Sequence, residues 1–169
     1  MLRRTHLAVA AIAVAPLTFD LSLAASGGIV LMGLAGAVVP DYLDLHSDAR
    51  QLMRHRGVSH GVAAGLIVAV LCFAIMRALS RIDDASVQLP AEHVEPLTFA
   101  FGIGLLSHLA LDACTPHGIK PGLPFTNRRL RLLPRSMRIR TGGAIDRLLG
   151  TGAIAIAIAF AAARLLGLR

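Results

Sequence analysis

Histidine and aspartate recur at one end of successive apolar segments of this sequence. The clusters are Thr5-His6, Pro40-Asp41 with Asp44, the run from His55 to His60, and Ser107-His108 with Asp112. Ionisable side chains are costly in a lipid bilayer, so their recurrence at the ends of apolar stretches indicates a functional site. Because imidazole and carboxylate groups together suit zinc, manganese or iron, the simplest interpretation is a metal centre.

The spacing within two clusters predicts how their side chains are presented. His108 and Asp112 are four residues apart on a predicted helix, so both project from one face, one turn from each other. The alternative for this pair is a polar contact that only holds helices together. His55 and His60 are five apart and would point to different sides of a continuous helix. We therefore expect a bend at Gly57, with His55 in a loop and His60 at a helix start.

The other groups have a functional and a structural interpretation each. Asp41 follows Pro40 and is expected in a turn or a first helical turn, where it is either a hard oxygen ligand or a plain turn signal. His6 is either a ligand or a solvated residue at the membrane interface. Arg56 either holds an anionic phosphate or is a solvated surface residue. With more than four potential ligands, the set allows one ion or two ions bridged by an aspartate.

Composition indicates the class of protein in which these groups lie. The chain has 169 residues, of which 55% are hydrophobic and 16% charged, so we predict a single integral membrane domain over residues 1–169. The chain has a net charge of +7, as nucleic-acid-binding proteins often do, but it has one tyrosine and no tryptophan to stack on bases. This excludes nucleic acid as the expected partner and indicates anionic lipid. Cys72 and Cys114 are expected to be small packing residues.

Apolar segments predict an all-α fold, a polytopic membrane helix bundle of about five transmembrane helices. The expected spans are 6–19, 21–39, 58–79, 96–114 and 148–168. Between the last two lies a basic segment, 115–147, whose prolines prevent a long helix and predict a folded cap. Its arginines either attract an anionic lipid headgroup or phosphorylated substrate, or only set the topology.

Lysine and arginine predict the orientation, because short cytoplasmic loops carry the positive excess. They precede the first span and fill the connections between spans two and three and between four and five, whereas the loop from Ser80 to Glu95 is acidic. The N-terminus, and with it every His/Asp cluster, is thus expected at the cytoplasmic face. A competing interpretation is a secretory signal peptide cleaved near Ser26, which would remove His6 from the site.

Together these residues resemble the YdjM-like family of LexA-regulated, membrane-bound, predicted metal-dependent hydrolases, over the chain up to about Pro134. The matching features are His6, Pro40-Asp41, His55-Arg56-Gly57-x-Ser59-His60, Ser107-His108-x-x-x-Asp112-x-x-Thr115-Pro116-x-Gly118, and Pro124-Phe125. The resemblance implies a small multi-pass inner membrane protein with hydrolase activity. Its implied metal ligands are His6, Asp41, Asp44, His55, His60, His108 and Asp112.

The chain departs from the family pattern at one point. The family's second aspartate lies two residues after the first, whereas here Leu43 stands at that place and Asp44 follows it. His46 and Asp48 are alternative ligands of lower rank.

We accordingly expect a hydrolase acting on a lipid or other membrane-associated ester, with a phosphoester favoured. A metal-activated water would attack, with zinc or manganese as one or two ions and Arg56 and Asp44 as catalytic candidates. The alternatives are a transporter or metal-ion carrier that uses the same His/Asp cluster, and a non-catalytic membrane assembly protein. A carrier would hold the cluster near mid-membrane between internal repeats, and the sequence has no internal repeat.

Overall fold

A computed structural model describes residues 1–45, 58–82 and 89–167 of the chain. Within these ranges the secondary structure is helical, without β-strands, which confirms the all-α prediction. The helices are α1 (Arg3–Val14), α2 (Leu23–Leu45), α3 (Val62–Leu79), α4 (Ala91–Ala113) and α5 (Ala144–Leu165). Short 3₁₀ turns cover Ala15–Thr18, Val58–His60 and Arg135–Met137.

Four of the helices, α2 to α5, are long and apolar enough to cross a membrane. The 12 residues of α1 extend about 18 Å at 1.5 Å per residue, against a hydrocarbon core of about 30 Å. The helix is shorter than the first expected span because Pro16 has no amide hydrogen to continue the helical ladder, and the chain passes into the 3₁₀ turn. The helix α1 is therefore a short element packed among longer ones.

Two further helix ends differ from the expected ones. Helix α2 continues through Pro40 to Leu45, so Asp41 lies on a helix and not in a turn. Proline is tolerated inside membrane helices because neighbouring groups satisfy the freed backbone carbonyl. Helix α4 begins at Ala91, with Pro96 inside it. With these boundaries, Asp41 still lies near the end of α2 and Asp112 near the end of α4.

Helices α2 and α4 cross with their backbones in contact. A Cβ atom added at Gly36 would collide with the carbonyl of Phe101, and one at Gly104 would collide with the carbonyl of Gly33. Small residues are what membrane helices use to approach this closely. By contrast, a Cβ atom at Gly102 would meet nothing within 4 Å. The glycine contact sets the register of α2 against α4, and hence which α2 atoms face His108.

The other helices surround this central pair. Helix α1 packs against α2, α4 and α5, and α3 packs against α4. At one end of the bundle the buried side chains are apolar, with Val14, Ile29 and Ala100 in contact. The outer faces of α3 and α5 expose large apolar residues such as Leu66, Val70 and Ile158, as expected of surfaces that face lipid.

The segment between α4 and α5 folds over the end of the bundle where α4 ends and α3 begins. Backbone amides of Leu132 and Ile139 donate to the carbonyls of Ala113 (3.0 Å) and Cys114 (3.1 Å). The amide of Val62, at the start of α3, donates to the carbonyl of Pro121 at 2.8 Å. The segment thus satisfies backbone groups that the helix ends leave unpaired, as a cap does.

Candidate metal centre

Five of the sequence-predicted ligands meet beside this cap. They are His6 on α1, Asp41 on α2, His60 in the 3₁₀ turn before α3, and His108 and Asp112 on α4. The side chains of the three histidines and Asp112 are at most 3% exposed, whereas that of Asp41 is 36% exposed. We refer to these five side chains as the His/Asp cluster.

Two imidazole nitrogens of the cluster lie close together, and a carboxylate oxygen of each of two aspartates lies near them. His108 Nε2 lies 3.3 Å from His60 Nε2 and 3.6 Å from Asp41 Oδ1. Asp112 Oδ2 lies 3.5 Å from His60 Nε2 and 3.8 Å from His108 Nε2. Asp41 Oδ1 is 4.0 Å from His60 Nε2. The four atoms come from three different segments of the chain, so the fold itself assembles them.

These separations fit a small divalent ion. In a tetrahedral zinc site, bonds of about 2.0–2.1 Å place neighbouring donors about 3.3–3.4 Å apart. Five of the six pairs among these donors lie 3.3, 3.5, 3.6, 3.8 and 4.0 Å apart, at this value or above it. Two sets of three donors, one of His60, His108 and Asp41 and one of His6, His108 and Asp112, each lie within 4.8 Å of one another. Two imidazoles and two carboxylates are also the donor types of mixed zinc or manganese sites. The residues present therefore fit the metal that the resemblance implies.

His60 and His108 each have a hydrogen-bond partner on Nδ1, the ring nitrogen that points away from the cluster. His108 Nδ1 lies 2.7 Å from the carbonyl oxygen of Ala37, and His60 Nδ1 lies 3.0 Å from Ser59 Oγ. A carbonyl oxygen accepts only, so His108 carries its proton on Nδ1 and presents the Nε2 lone pair to the cluster. A hydroxyl both donates and accepts, so Ser59 Oγ is able to accept from His60 Nδ1 when Nε2 binds a metal. Metal-ligating histidines are typically held by such a hydrogen bond on the second ring nitrogen.

The Ser59 contact predicts a measurable effect. Replacing Ser59 with alanine should weaken zinc affinity roughly tenfold, because the His60 ring loses the partner that sets its orientation and tautomer. Zinc affinity would be measured by competition with a chelator of known affinity. The matched control is Ser107→Ala: Ser107 also precedes a histidine, but its hydroxyl donates to the Gly104 carbonyl within α4. Equal affinities of the two variants would contradict the assigned role of Ser59.

His6 occupies the other side of Asp112. Its ring stacks on that of His108, with centroids 4.0 Å apart and an interplanar angle of 18°. His6 Nε2 lies 3.4 Å from Asp112 Oδ1, and the backbone nitrogen of Met1 lies 3.0 Å from the same oxygen. The two carboxylate oxygens of Asp112 therefore face different groups: Oδ1 faces His6, and Oδ2 faces His60 and His108. His6 Nδ1 is buried and has no hydrogen-bond partner among the described residues.

Asp146 is a polar residue of this region that the sequence did not single out. It is fully buried in the first turn of α5. Its Oδ2 accepts from the amides of Leu2 (3.0 Å) and Gly142 (2.8 Å), and its Oδ1 accepts from Thr5 Oγ1 at 2.8 Å. Asp146 thereby joins the starts of α1 and α5 next to His6. An acidic residue in a first helical turn after two glycines was the available signal, and it indicates only a helix start.

The remaining predicted residues are not part of the described cluster. His55 and Arg56, and the alternatives His46 and Asp48, lie outside the described residues. Asp44 lies in the last turn of α2, and its side chain is outside the described part of the structure.

Two histidines that the sequence assigned no role lie elsewhere. His93 is in the first turn of α4, at the opposite end of that helix from His108. His117 is exposed in the cap.

In comparison with protein families, the chain matches the model described as YdjM inner membrane protein over residues 1–168. Comparison with curated proteins and with solved structures gives no match.

Proposed function

The chain belongs to the YdjM inner membrane protein family, and on that premise we propose that it is a membrane-bound metal-dependent hydrolase. Its proposed substrate is a lipid or other membrane-associated ester, with a phosphoester favoured. One observation carries this proposal: two buried imidazole nitrogens lie 3.3 Å apart, and each lies 3.5 to 4.0 Å from carboxylate oxygens of Asp41 and Asp112. Desolvating that many ionisable groups is costly unless a cation compensates them.

The proposed roles follow from the contacts of each residue. His60, His108 and Asp41 form one group of three donors and would hold zinc or manganese. Asp112 Oδ2, which lies 3.5 Å from His60 Nε2 and 3.8 Å from His108 Nε2, would be a fourth donor. The bound ion would lower the pKa of a water molecule and polarise the scissile group. His6 and Asp112 Oδ1 extend the donor set toward a second ion, since a further donor group consists of His6, His108 and Asp112. Four of the five side chains are buried and only that of Asp41 is partly exposed. Among the described residues, bulk water therefore reaches the cluster from the side where Asp41 lies.

The depth of the His/Asp cluster supports a hydrolase over a carrier. Asp112 is the penultimate residue of α4, Asp41 lies in the last two turns of α2, and His60 directly precedes the N-cap of α3. A carrier holds its ion near the middle of the membrane between discontinuous helices. A site at the helix ends is instead open to the headgroup region, where the ester bonds of lipids lie. From the distribution of arginines, we place this end of the bundle on the cytoplasmic side.

The proposal is tested by turnover. The purified protein in detergent, loaded with zinc or manganese, would be offered phosphatidate, phosphatidylglycerol, a lipid pyrophosphate and a carboxylic ester lipid. We expect hydrolysis of at least one phosphoester, and a loss of more than about 100-fold in kcat/KM for His108→Ala, because that ring contributes a central donor. The control is His117→Ala, which removes an exposed histidine of the cap and should retain activity.

Two outcomes would contradict the proposal. Stoichiometric metal without turnover of any of these esters would favour the metal-ion carrier. A folded wild-type protein that binds no metal would favour an assembly protein whose polar residues only join helices.

A further inference from the structure

The His/Asp cluster has one exposed side among the described residues. The side chain of Asp41 is 36% exposed, whereas those of His60 and His108 are fully buried and those of His6 and Asp112 are 3% exposed. A molecule that reaches the donors through the described part of the protein therefore passes Asp41. We call this position the mouth of the cluster.

Near the mouth, the positively charged side chain of Arg3 is held by Tyr42. Tyr42 follows Asp41 on α2 and is 49% exposed. Arg3 Nη2 donates to Tyr42 Oη at 3.2 Å, and the Arg3 guanidinium carbon lies 5.2 Å from the centre of the Tyr42 ring. These two contacts restrain a side chain that would otherwise move freely in solvent or among headgroups. The guanidinium is thus held on Tyr42, the residue next to Asp41 on α2, at the same end of the bundle as the cluster.

The position of Arg3 on α1 links it to the buried donors as well. Arg3 and His6 are three residues apart, so both project from the same side of α1, one turn from each other. Arg3 is exposed, and no carboxylate of the described residues lies within ion-pair distance of it. An exposed arginine that no described carboxylate pairs, and whose orientation is restrained, is suited to bind an anion that approaches the mouth.

We propose that Arg3, oriented by Tyr42, binds the phosphate group of the substrate at the mouth of the cluster. This inference rests on the proposed hydrolase and specifies its substrate as an anionic phosphoester. A guanidinium offers two parallel N–H donors to two phosphate oxygens, which gives orientation as well as affinity. The bound phosphate would thereby be turned toward the donors of His60, His108 and Asp112.

The test is a binding measurement that does not depend on turnover. Full-length protein in neutral detergent would be titrated with inorganic phosphate and, separately, with short-chain phosphatidate in mixed micelles, by isothermal titration calorimetry. Replacing Arg3 with glutamine should weaken binding roughly tenfold, the size expected from losing one charged hydrogen-bonding group. Arg3→Lys keeps the charge but loses the planar pair of donors, so it should weaken binding by about threefold.

Arg4→Gln is the matched control. Arg4 is the exposed neighbour of Arg3 on α1, and it makes no hydrogen bond or ion pair with any described residue. The change in net charge is the same in both variants. If the basic surface attracted anions only in a general way, the two substitutions would weaken binding equally. We expect Arg4→Gln to stay within about twofold of the wild type, as for an exposed charge without a fixed partner.

The outcomes separate this inference from the proposed function. Arg3-dependent binding of phosphatidate supports a lipid phosphate, and Arg3-dependent binding of inorganic phosphate alone supports a soluble phosphoester. Equal binding by Arg3→Gln and Arg4→Gln, or no binding by the wild type, overturns the inference even if the protein holds metal and hydrolyses an ester. Arg3-dependent binding to a protein that takes up no metal would sustain the inference while the hydrolase proposal fails.

Discussion

Replacing Asp112 with asparagine is expected to lower zinc affinity by more than about 100-fold, more than is typical for loss of an outer-shell partner. The reason is the central place of its carboxylate: Oδ2 faces the Nε2 atoms of His60 and His108, and Oδ1 faces His6. Asparagine has nearly the same volume and should leave the packing of α4 in place, but it supplies a neutral amide where an anionic oxygen is needed.

The measurement is metal content per protein by mass spectrometry after chelator competition, with size-exclusion profiles to verify folding. Asp20→Asn is the control, because Asp20 is an exposed aspartate in the connection between α1 and α2. It should retain wild-type zinc affinity. If Asp112→Asn is folded and keeps the metal content of the wild type, Asp112 is not a ligand and the assignment of the cluster is wrong.

The second large effect concerns the glycine contact between α2 and α4. Replacing Gly104 with alanine should destabilise the protein by about 3 kcal/mol or more, at the upper end of the cost of overpacking. The new methyl group would occupy the place of the Gly33 carbonyl, and backbone atoms of two packed helices have little freedom to move aside. Because the Ala37 carbonyl that orients His108 lies on the same stretch of α2, zinc affinity should fall as well.

Gly102→Ala is the control for this prediction, and its expected sign is opposite. A Cβ atom at Gly102 meets nothing within 4 Å, so alanine there should stabilise the helix by about 0.5–1 kcal/mol through its lower conformational entropy in the unfolded chain. The free energy of unfolding in detergent would be compared for the two variants. Equal stabilities would contradict the close crossing of α2 and α4.

The helices and the His108–Asp112 pair were predictable because they depend on local pattern. Apolar runs in a membrane must form helices, and residues four apart on a helix share a face whatever surrounds them. The boundaries were less predictable. Pro40 ends a helix in many soluble proteins, yet α2 continues past it, and the 12-residue length of α1 follows from the 3₁₀ turn at Pro16.

The convergence of the five side chains of the His/Asp cluster depends on tertiary packing, which a single sequence does not reveal. The sequence placed the His/Asp clusters at one end of the spans, but His6 approaches Asp112 only because α1 packs against α4. The Ala37 carbonyl faces His108 because glycines allow the backbones of α2 and α4 to touch. For the same reason the contact between Arg3 and Tyr42, which are 39 residues apart, had no sequence signal.

X-ray absorption spectroscopy of the zinc-loaded protein tests the central claim, a metal held by the His/Asp cluster, most directly. The structure predicts a coordination shell of nitrogen and oxygen only, at about 2.0–2.1 Å, with the outer scattering typical of imidazole rings. Cys114 lies two residues after Asp112 and is a free thiol, so a sulfur ligand is a real alternative. A sulfur shell at about 2.3 Å, or a shell without imidazole scattering, would contradict the assignment.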